Sequence, residues 1–328
     1  MSVTLKDIAR ECGLAVSTVS NILNNHHSSF ASETVRVRVR DAAQRLGYKR
    51  DYLSSSLRTR KTKSIGLILD EIGQVTRQDF VVALVEPFSR LGYEVSIAEH
   101  RHDPRRAVAA LEAFDERYKE GVILFTDLLG RPDADQDRLR DAVSASELTL
   151  VGIGSRLRGA LPCLDVDRGY AADQTIRHFL GRGLRVLVVL EYEWDLRPSF
   201  SYWDHPDLTF WSGIHTPADF RVRAETADWG AFDAVFFRTD RIAVPALAFF
   251  RGRGLRVPAD LEVIGFDNQP FTEYAVPALS TWDIGFGRLG GTACDLLSQA
   301  LAGVRPAAGW YQSFRPEFVP RGSHEGVL

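Results

Sequence analysis

Cysteine and methionine are scarce in this 328-residue chain, which has three Cys and one Met. Cys12, Cys163 and Cys294 stand far apart with no C-x-x-C spacing, which argues against a disulfide framework or a cysteine-rich metal motif. They are expected as reduced core thiols. No run of about 18 apolar residues occurs, so no membrane-spanning helix is expected. The opening M-S-V-T-L-K-D-I-A-R-E-C-G carries charge where a secretory leader needs its apolar stretch, and the expected location is the cytoplasm. G-x-S-x-G, H-E-x-x-H and P-loop signatures are missing, so the expectation is no enzyme, no catalytic residue, no cofactor and no metal. His100 and His102 are spaced to allow a metal but are read as ordinary surface histidines. Asp165 and Asp167 alternate along a strand-like stretch and are expected to share a face, with no environment that would raise an acid.

What is present is an ordinary globular composition, 45% hydrophobic and 25% charged, on a length that suits two or three compact units. The net charge of −3 conceals a division. Residues 1–63 hold 12 bases against 5 acids, and the remainder holds 28 bases against 38 acids. A basic arm on an acidic body points to a polyanionic partner at one end only.

The basic arm has helical periodicity. Leu5, Ile8 and Ala9 follow Thr4, an N-cap candidate; Gly13 supplies a turn; Val16, Val19, Ile22 and Leu23 define a second helix. A third runs from Ser32 to about Leu46 through Val35, Val39, Ala42 and Ala43, and ends before Gly47. Helix, glycine turn and helix is the layout in which the second helix enters the major groove.

The stretches T-L-K-D-I-A-R-E-C-G-L-A-V-S-T-V-S-N-I-L-N and S-E-T-V-R-V-R-V-R-D-A-A-Q-R-L-G-Y closely resemble the headpiece of the lactose-repressor (LacI) family. The resemblance implies that Val16, Ser17 and Asn21 read base edges, that Thr18 and Ser20 lie near phosphates, and that Thr4, Asn24, Ser29 and Ser54 complete the DNA-contacting set. Asn21 has the donor and acceptor for an adenine edge, Ser17 can bond several bases, and Val16 can touch a thymine methyl. A core contact is the alternative for Val16. His26 and His27, just past the recognition helix, suit phosphate. Ala15 stands where the family usually caps this helix with Ser, and Val35 where it usually has Arg.

Residues 50–63, rich in serine and bases, read as a flexible linker. The segment S-L-R-T-R-K-T is similar to the family's hinge helix, which implies that Leu57 wedges into the minor groove at the centre of the operator. Packing of Leu57 against its dimer mate is the alternative. Arg50 and Ser55 replace a common proline and a common arginine.

From Ser64 the pattern alternates. Strands are predicted over 65–70, 94–99, 122–126, 148–153, 186–190, 234–237 and 261–266, with helices over 79–91, 104–118, 170–182 and 243–254. Such alternation builds doubly wound parallel sheets with ligands at the strands' carboxyl ends. S-I-G-L-I-L, R-L-G-Y-E-V and L-R-V-P-A-D-L-E-V-I-G-F-D-N resemble the same family's body, implying a periplasmic-binding-protein-like, two-subdomain α/β fold, an effector cleft and a homodimer. The expected division is a head over 1–49, a hinge over 50–63, one subdomain from 64–162 with 285–314, and the other from 163–284 with 315–328.

For the cleft, the resemblance implies Asp267 as acceptor from a sugar hydroxyl or nucleobase, with capping of the next turn as the alternative. Thr76 and Arg77 fall at first-subdomain contacts, Arg197 loosely at a sugar-gripping position, and Phe236 as a ring contact or a core residue. Asp240 is read as a helix N-cap needing no ligand. The segment 191–232 departs most from the family, and Trp194, Trp203 and Trp211 either stack on a sugar or, as favoured, fill the core. The expected function is a sequence-specific transcriptional regulator, a repressor by resemblance, bound to double-stranded operator DNA and modulated by a small molecule, a sugar or sugar phosphate. The alternatives are a regulator with a closed or atypical cleft that is independent of an effector, and a periplasmic solute-binding protein.

Overall fold

The computed structural model describes residues 3–23, 31–48, 62–69, 78–101, 103–117, 119–125, 134–154, 159–191 and 204–326. The chain falls into two compact units, Met1–Thr62 and Lys63–Leu328.

Among the described residues the first unit contains three helices, α1 (Leu5–Cys12), α2 (Val16–Leu23) and α3 (Glu33–Arg45). Thr4 starts α1 with its backbone N–H and hydroxyl both donating to Asp7, at 2.9 and 2.7 Å. Gly13 ends it at φ 62°, ψ 36°, a left-handed conformation that glycine reaches without strain. Ile8, Ala9 and Cys12 meet Val19 and Ile22 of α2 and Val39, Ala42 and Ala43 of α3 in one core. Arg38 Nη2 donates to the Cys12 carbonyl at 3.1 Å and ties α3 to the end of α1.

The second unit is α/β. Its first sheet contains β1 (Ser64–Leu69), β2 (Glu94–Glu99), β3 (Gly121–Phe125), β4 (Thr149–Ile153), β5 (Cys163–Val166) and β11 (Tyr311–Phe314) in the order β11-β5-β4-β3-β1-β2, all parallel. Helices α4 (Gln78–Arg90), α5 (Pro104–Glu116), α6 (Ala134–Ala145) and α10 (Phe286–Leu301) belong to this half. The second sheet contains β6 (Val186–Val189), β7 (Leu208–Trp211), β8 (Ala234–Phe237) and β9 (Glu262–Ile264) in the order β7-β6-β8-β9, again parallel. With it go α7 (Arg168–Gly181), α8 (Pro217–Ala224) and α9 (Asp240–Gly252). The inner strands β1, β3, β6 and β8 are buried along their whole length, as helix cover on both faces of a parallel sheet requires.

Three passages join the halves: β5 into α7, β10 (Thr281–Asp283) into α10, and β11 into β12 (Glu317–Val319). Strands β10 and β12 pair antiparallel as a two-stranded ribbon. Trp282 pins the ribbon: its indole N–H donates to Thr175 Oγ1 at 2.8 Å, with Tyr170 and Phe318 edge-on or tilted at 6.0 and 5.2 Å. One apolar cluster runs from Ile65 and Ile123 through Trp282 to Val188 and Ile264, so the two halves share a core.

The structure differs from the sequence expectation at several elements. Cys163–Val166 pairs with β4 and β11, so a division after residue 162 assigns this strand to the wrong half. The short strands β7, β10, β11 and β12 are missing from the sequence expectation: unlike the equally short β6 and β8, with V-L-V-V and A-V-F-F, they contain no run of four apolar residues. His100 is no surface residue: it is fully buried with Nε2 3.1 Å from the Phe125 carbonyl. Cys12, Cys163 and Cys294 are free and buried. Among the described residues no helix is long and apolar enough to cross a membrane.

Helices α4 and α10 cross at Gly290, where an added Cβ would lie 2.8 Å from the Ala83 Cβ and 3.0 Å from its carbonyl carbon and oxygen. Overpacking against backbone costs about 1–3 kcal/mol, whereas a mid-helix Gly-to-Ala change returns at most about 1 kcal/mol of propensity. Gly290→Ala is therefore expected to lower stability by about 1–2 kcal/mol, read as an earlier denaturant midpoint with an unchanged slope.

Candidate DNA-reading helix and effector cleft

The α2 helix divides cleanly. Val19 and Ile22 are buried, while Val16, Ser17 and Asn21 are exposed on the opposite face, with half-buried Ser20 among them. The i, i+1, i+4, i+5 spacing aligns these four along one stripe. Val16 is 40% exposed, so its side chain is mainly presented to solvent rather than given to the core. Thr18 is half-buried at the flank, and Thr4 is exposed with its hydroxyl engaged by Asp7. Ala15 offers its carbonyl to the Val19 N–H at 3.1 Å, but its methyl cannot cap the helix. Val35 packs against the head core, where an arginine would have projected outward. Asn24, His26, His27, Ser29, Ser54 and Leu57 lie outside the described residues, as does the hinge up to residue 61.

In the body, polar side chains converge where the second sheet's strands end. Glu191 follows β6, Arg238 and Thr239 follow β8, and Asp267 comes shortly after β9. Arg168, at the start of α7, reaches the same place from the first passage. Asp267 is held at φ 111° and Asn268 at φ 51°, backbone conformations that L-residues rarely adopt. The Asp267 N–H donates to the Trp282 carbonyl at 2.9 Å, and Thr239 Oγ1 donates to its carboxylate at 3.1 Å. Arg321 supports the turn, donating to Asn268 Oδ1 and the Leu279 carbonyl at 2.8 and 2.9 Å. Burial pushes the Asp267 carboxyl up to about 6, against the opposing pull of Arg238 and Arg168.

Arg238 is the outlying member of this group. It is 9% exposed, its Nε is buried with no hydrogen-bond acceptor, and its guanidinium lies 5.1 Å from the Phe266 ring centre. A cation over a ring contributes about 0.5–2 kcal/mol. Burying a guanidinium without a partner costs several kcal/mol. The ring contact alone does not offset that burial.

The neighbouring acids are committed elsewhere. Glu191 accepts from Arg241 Nη2 at 2.8 Å, and the same nitrogen donates to the His215 carbonyl at 2.7 Å. Asp165 is buried in β5 with Tyr311 donating at 2.9 Å and Arg168 forming an ion pair at 3.8 Å, while Asp167 caps α7 through the Tyr170 N–H. The two carboxylates do not share a face, because the strand ends between them.

Two further sequence expectations, at Phe236 and Asp240, are corrected, and the favoured core reading of Trp211 is borne out. Phe236 has no exposed surface and lies in register between Val188 and Ile264, so its ring has no face to offer a ligand. Asp240 is the first residue of α9 rather than its cap; Thr239 is the N-cap and accepts from the Arg241 N–H. Trp211 is 6% exposed within the cluster of Phe220, Trp229 and Phe232, with Arg223 over its ring. Thr76, Arg77, Trp194, Arg197 and Trp203 lie outside the described residues. The reading of the sequence passed over Arg238, Thr239 and Arg168. A charged residue directly after the apolar run A-V-F-F was the available signal for the first of them.

One motif needs separate mention. Gly285, Gly287 and Gly290 have G-x-G-x-x-G spacing ahead of a helix. Here the preceding strand belongs to a two-stranded antiparallel ribbon rather than a βαβ unit, and Gly290 is used up in helix packing, so the dinucleotide context is missing.

Among the described residues no group of three His, Cys, Asp or Glu is placed to hold a metal ion. The raised carboxyl of Asp267 has a consequence for stability. A folded value of about 6 against the ordinary 3.8 means that the folded state keeps a proton the unfolded chain has already released. The contribution is full at acid pH and is lost as pH rises through about 6. Asp267→Asn should therefore gain stability over the parent progressively between pH 3.8 and about 6 and hold that gain above it, as read from denaturant midpoints across pH.

Comparison with known proteins agrees with this architecture. A signature described as bacterial regulatory proteins, lacI family, matches residues 4–51, and one described as a periplasmic binding protein-like domain matches residues 202–324. Together they span more than half of the chain. The HTH-type transcriptional repressor PurR of Actinobacillus pleuropneumoniae serotype 3 (strain JL03) is 26% identical, with 98% of each chain covered. The ribose operon repressor of Halalkalibacterium halodurans is 23% identical over 90% of this chain and 89% of its own. The lac repressor dimer, solved bound to operator and the anti-inducer ONPF, superposes with a TM-score of 0.82 at 21% identity, covering 98% of this chain and 99% of that one. With the reading helix, the parallel two-sheet body and these relatives together, the chain belongs to the lacI family of bacterial regulatory proteins.

Proposed function

We propose that the protein is a sequence-specific transcriptional repressor that binds a two-fold symmetric operator as a homodimer and is modulated by a small molecule. The observation that carries this reading is the exposed stripe of Val16, Ser17, Ser20 and Asn21 on a helix whose other face is buried. Val16, Ser17 and Asn21 have the chemistry to read base edges, and Thr18, Ser20 and Thr4 that to position the head on phosphates. Asn24, Ser29, Ser54 and the wedge residue Leu57 complete the interface by family likeness. The effector, a carbohydrate or its phosphate by the same likeness, binds at Asp267. It shifts the angle between the two halves of the body, and the hinges of the dimer move together or apart. Such coupling typically amounts to about 1–3 kcal/mol.

Binding to labelled duplexes tests the DNA half. Affinity should fall by about 10³-fold or more between low and moderate salt if at least six phosphates are contacted. Asn21→Ala should cost about 1–3 kcal/mol on the preferred duplex and little on random duplex. Leu57→Ala should likewise weaken specific binding far more than non-specific binding, and equal losses on both remove the wedge. If no genomic fragment is preferred over random duplex, with or without any ligand, the regulator reading fails.

A further inference from the structure

We propose that the effector is a polyhydroxylated anion whose carboxylate or phosphate group binds the guanidinium of Arg238 while one of its hydroxyls bonds to Asp267. The inference rests on the reading of this cleft as the effector site and adds the charge of the ligand.

Arg238 stands at the carboxyl end of β8, the position from which a doubly wound sheet presents side chains to its ligand. Its guanidinium carries donors in a fixed fork, yet Nε is buried without an acceptor and Arg238 forms no ion pair with any described carboxylate. The nearby acids are already engaged: Glu191 by Arg241, Asp165 by Tyr311, and Asp240 by Gln269 and Thr281. Asp267 acts on Arg238 only through space, and its one side-chain hydrogen bond is to Thr239. Arg168 adds a second positive charge that acts on Asp267. A neutral sugar would engage Asp267 and leave the buried guanidinium with no hydrogen-bonded counter-charge. A planar carboxylate or a phosphate matches the fork with two parallel hydrogen bonds and neutralises it. Asp267, held in an uncommon backbone conformation and close enough for Arg238 to pull its carboxyl down, supplies an acceptor for a hydroxyl near the anionic group.

The test uses the full-length protein and calorimetric titration with matched pairs: D-gluconate and D-glucose 6-phosphate against D-glucose, and D-galacturonate against D-galactose. At least one anion should bind while its neutral parent does not, and whether carboxylates or the phosphate respond identifies the anionic group. Arg238→Gln should weaken that binding roughly 100-fold or more, and Arg238→Lys should retain part of it. Without ligand, Arg238→Gln should raise the melting temperature, whereas an arginine that only supports the fold would lower it. Silence of every anion at millimolar concentration overturns the inference. So does equal binding of anion and neutral parent, or a loss under about twofold in Arg238→Gln. A neutral sugar whose binding disappears in Asp267→Asn overturns this inference alone and leaves the effector cleft standing. Operator binding, measured on the same preparation, stands or falls separately.

Discussion

The Asp240 carboxyl has no exposed surface and sits where α9, the turn after β9 and the β10 passage meet. It accepts from the Gln269 N–H at 2.9 Å and from the Thr281 hydroxyl at 2.7 Å, while its own N–H donates to the Phe266 carbonyl at 2.8 Å. Gly265 lies beneath it, and any side chain there would overlap Asp240 and Leu279. Burial raises this carboxyl well above the ordinary range, with the charge of Asp267 adding to the effect. The turn that carries Asp267 and Asn268 through left-handed conformations is clamped from behind by this contact. The geometry of the candidate cleft therefore depends on a carboxyl with no exposed surface.

Around that clamp the polar groups divide by commitment. Most carboxylates and guanidiniums are paired within the fold: Arg182 with Glu262, Arg185 with Asp233, Arg241 with Glu191. Asp267 and Arg238 are the exceptions at the cleft. One holds a proton into mildly acid conditions and the other is buried without a hydrogen-bonded partner for its Nε. Both weaken the empty protein, as is common where binding groups are held in place before the ligand arrives. The head has no comparable strain. It is a small core with one helix face left to solvent, and its buried and exposed sides belong to the same eight residues of α2.

Much of the architecture was legible in residue order. Apolar repeats located α1 to α3 and the long inner strands, because burial of one helix face or of a whole parallel strand leaves a periodic trace in the residues themselves. Val16, Ser17, Ser20 and Asn21 were singled out by the family resemblance, and the structure leaves Val16, Ser17 and Asn21 exposed with Ser20 half-buried. Where a short strand lacks a continuous apolar run the trace fades, as in β7, β10, β11 and β12, and the place of Cys163–Val166 in the first sheet depends on its neighbours β4 and β11. His100 and Phe236 show a related limit, since hydrophobicity does not say whether a histidine is buried or a phenylalanine faces a ligand.

Local pattern thus suffices for what is repeated along the chain: helix, strand, the charge contrast between head and body, and the spacing of the reading residues. The cleft is of another kind. Thr239 and Asp267 are 28 residues apart and meet only because β8 and β9 are adjacent strands that end on the same side of one sheet. Arg168 joins them from across a passage between the two halves, and Arg238 is buried with its guanidinium over the Phe266 ring. Strand order and burial set the electrostatics of such a site, and neither is written in the spacing of the residues that form it.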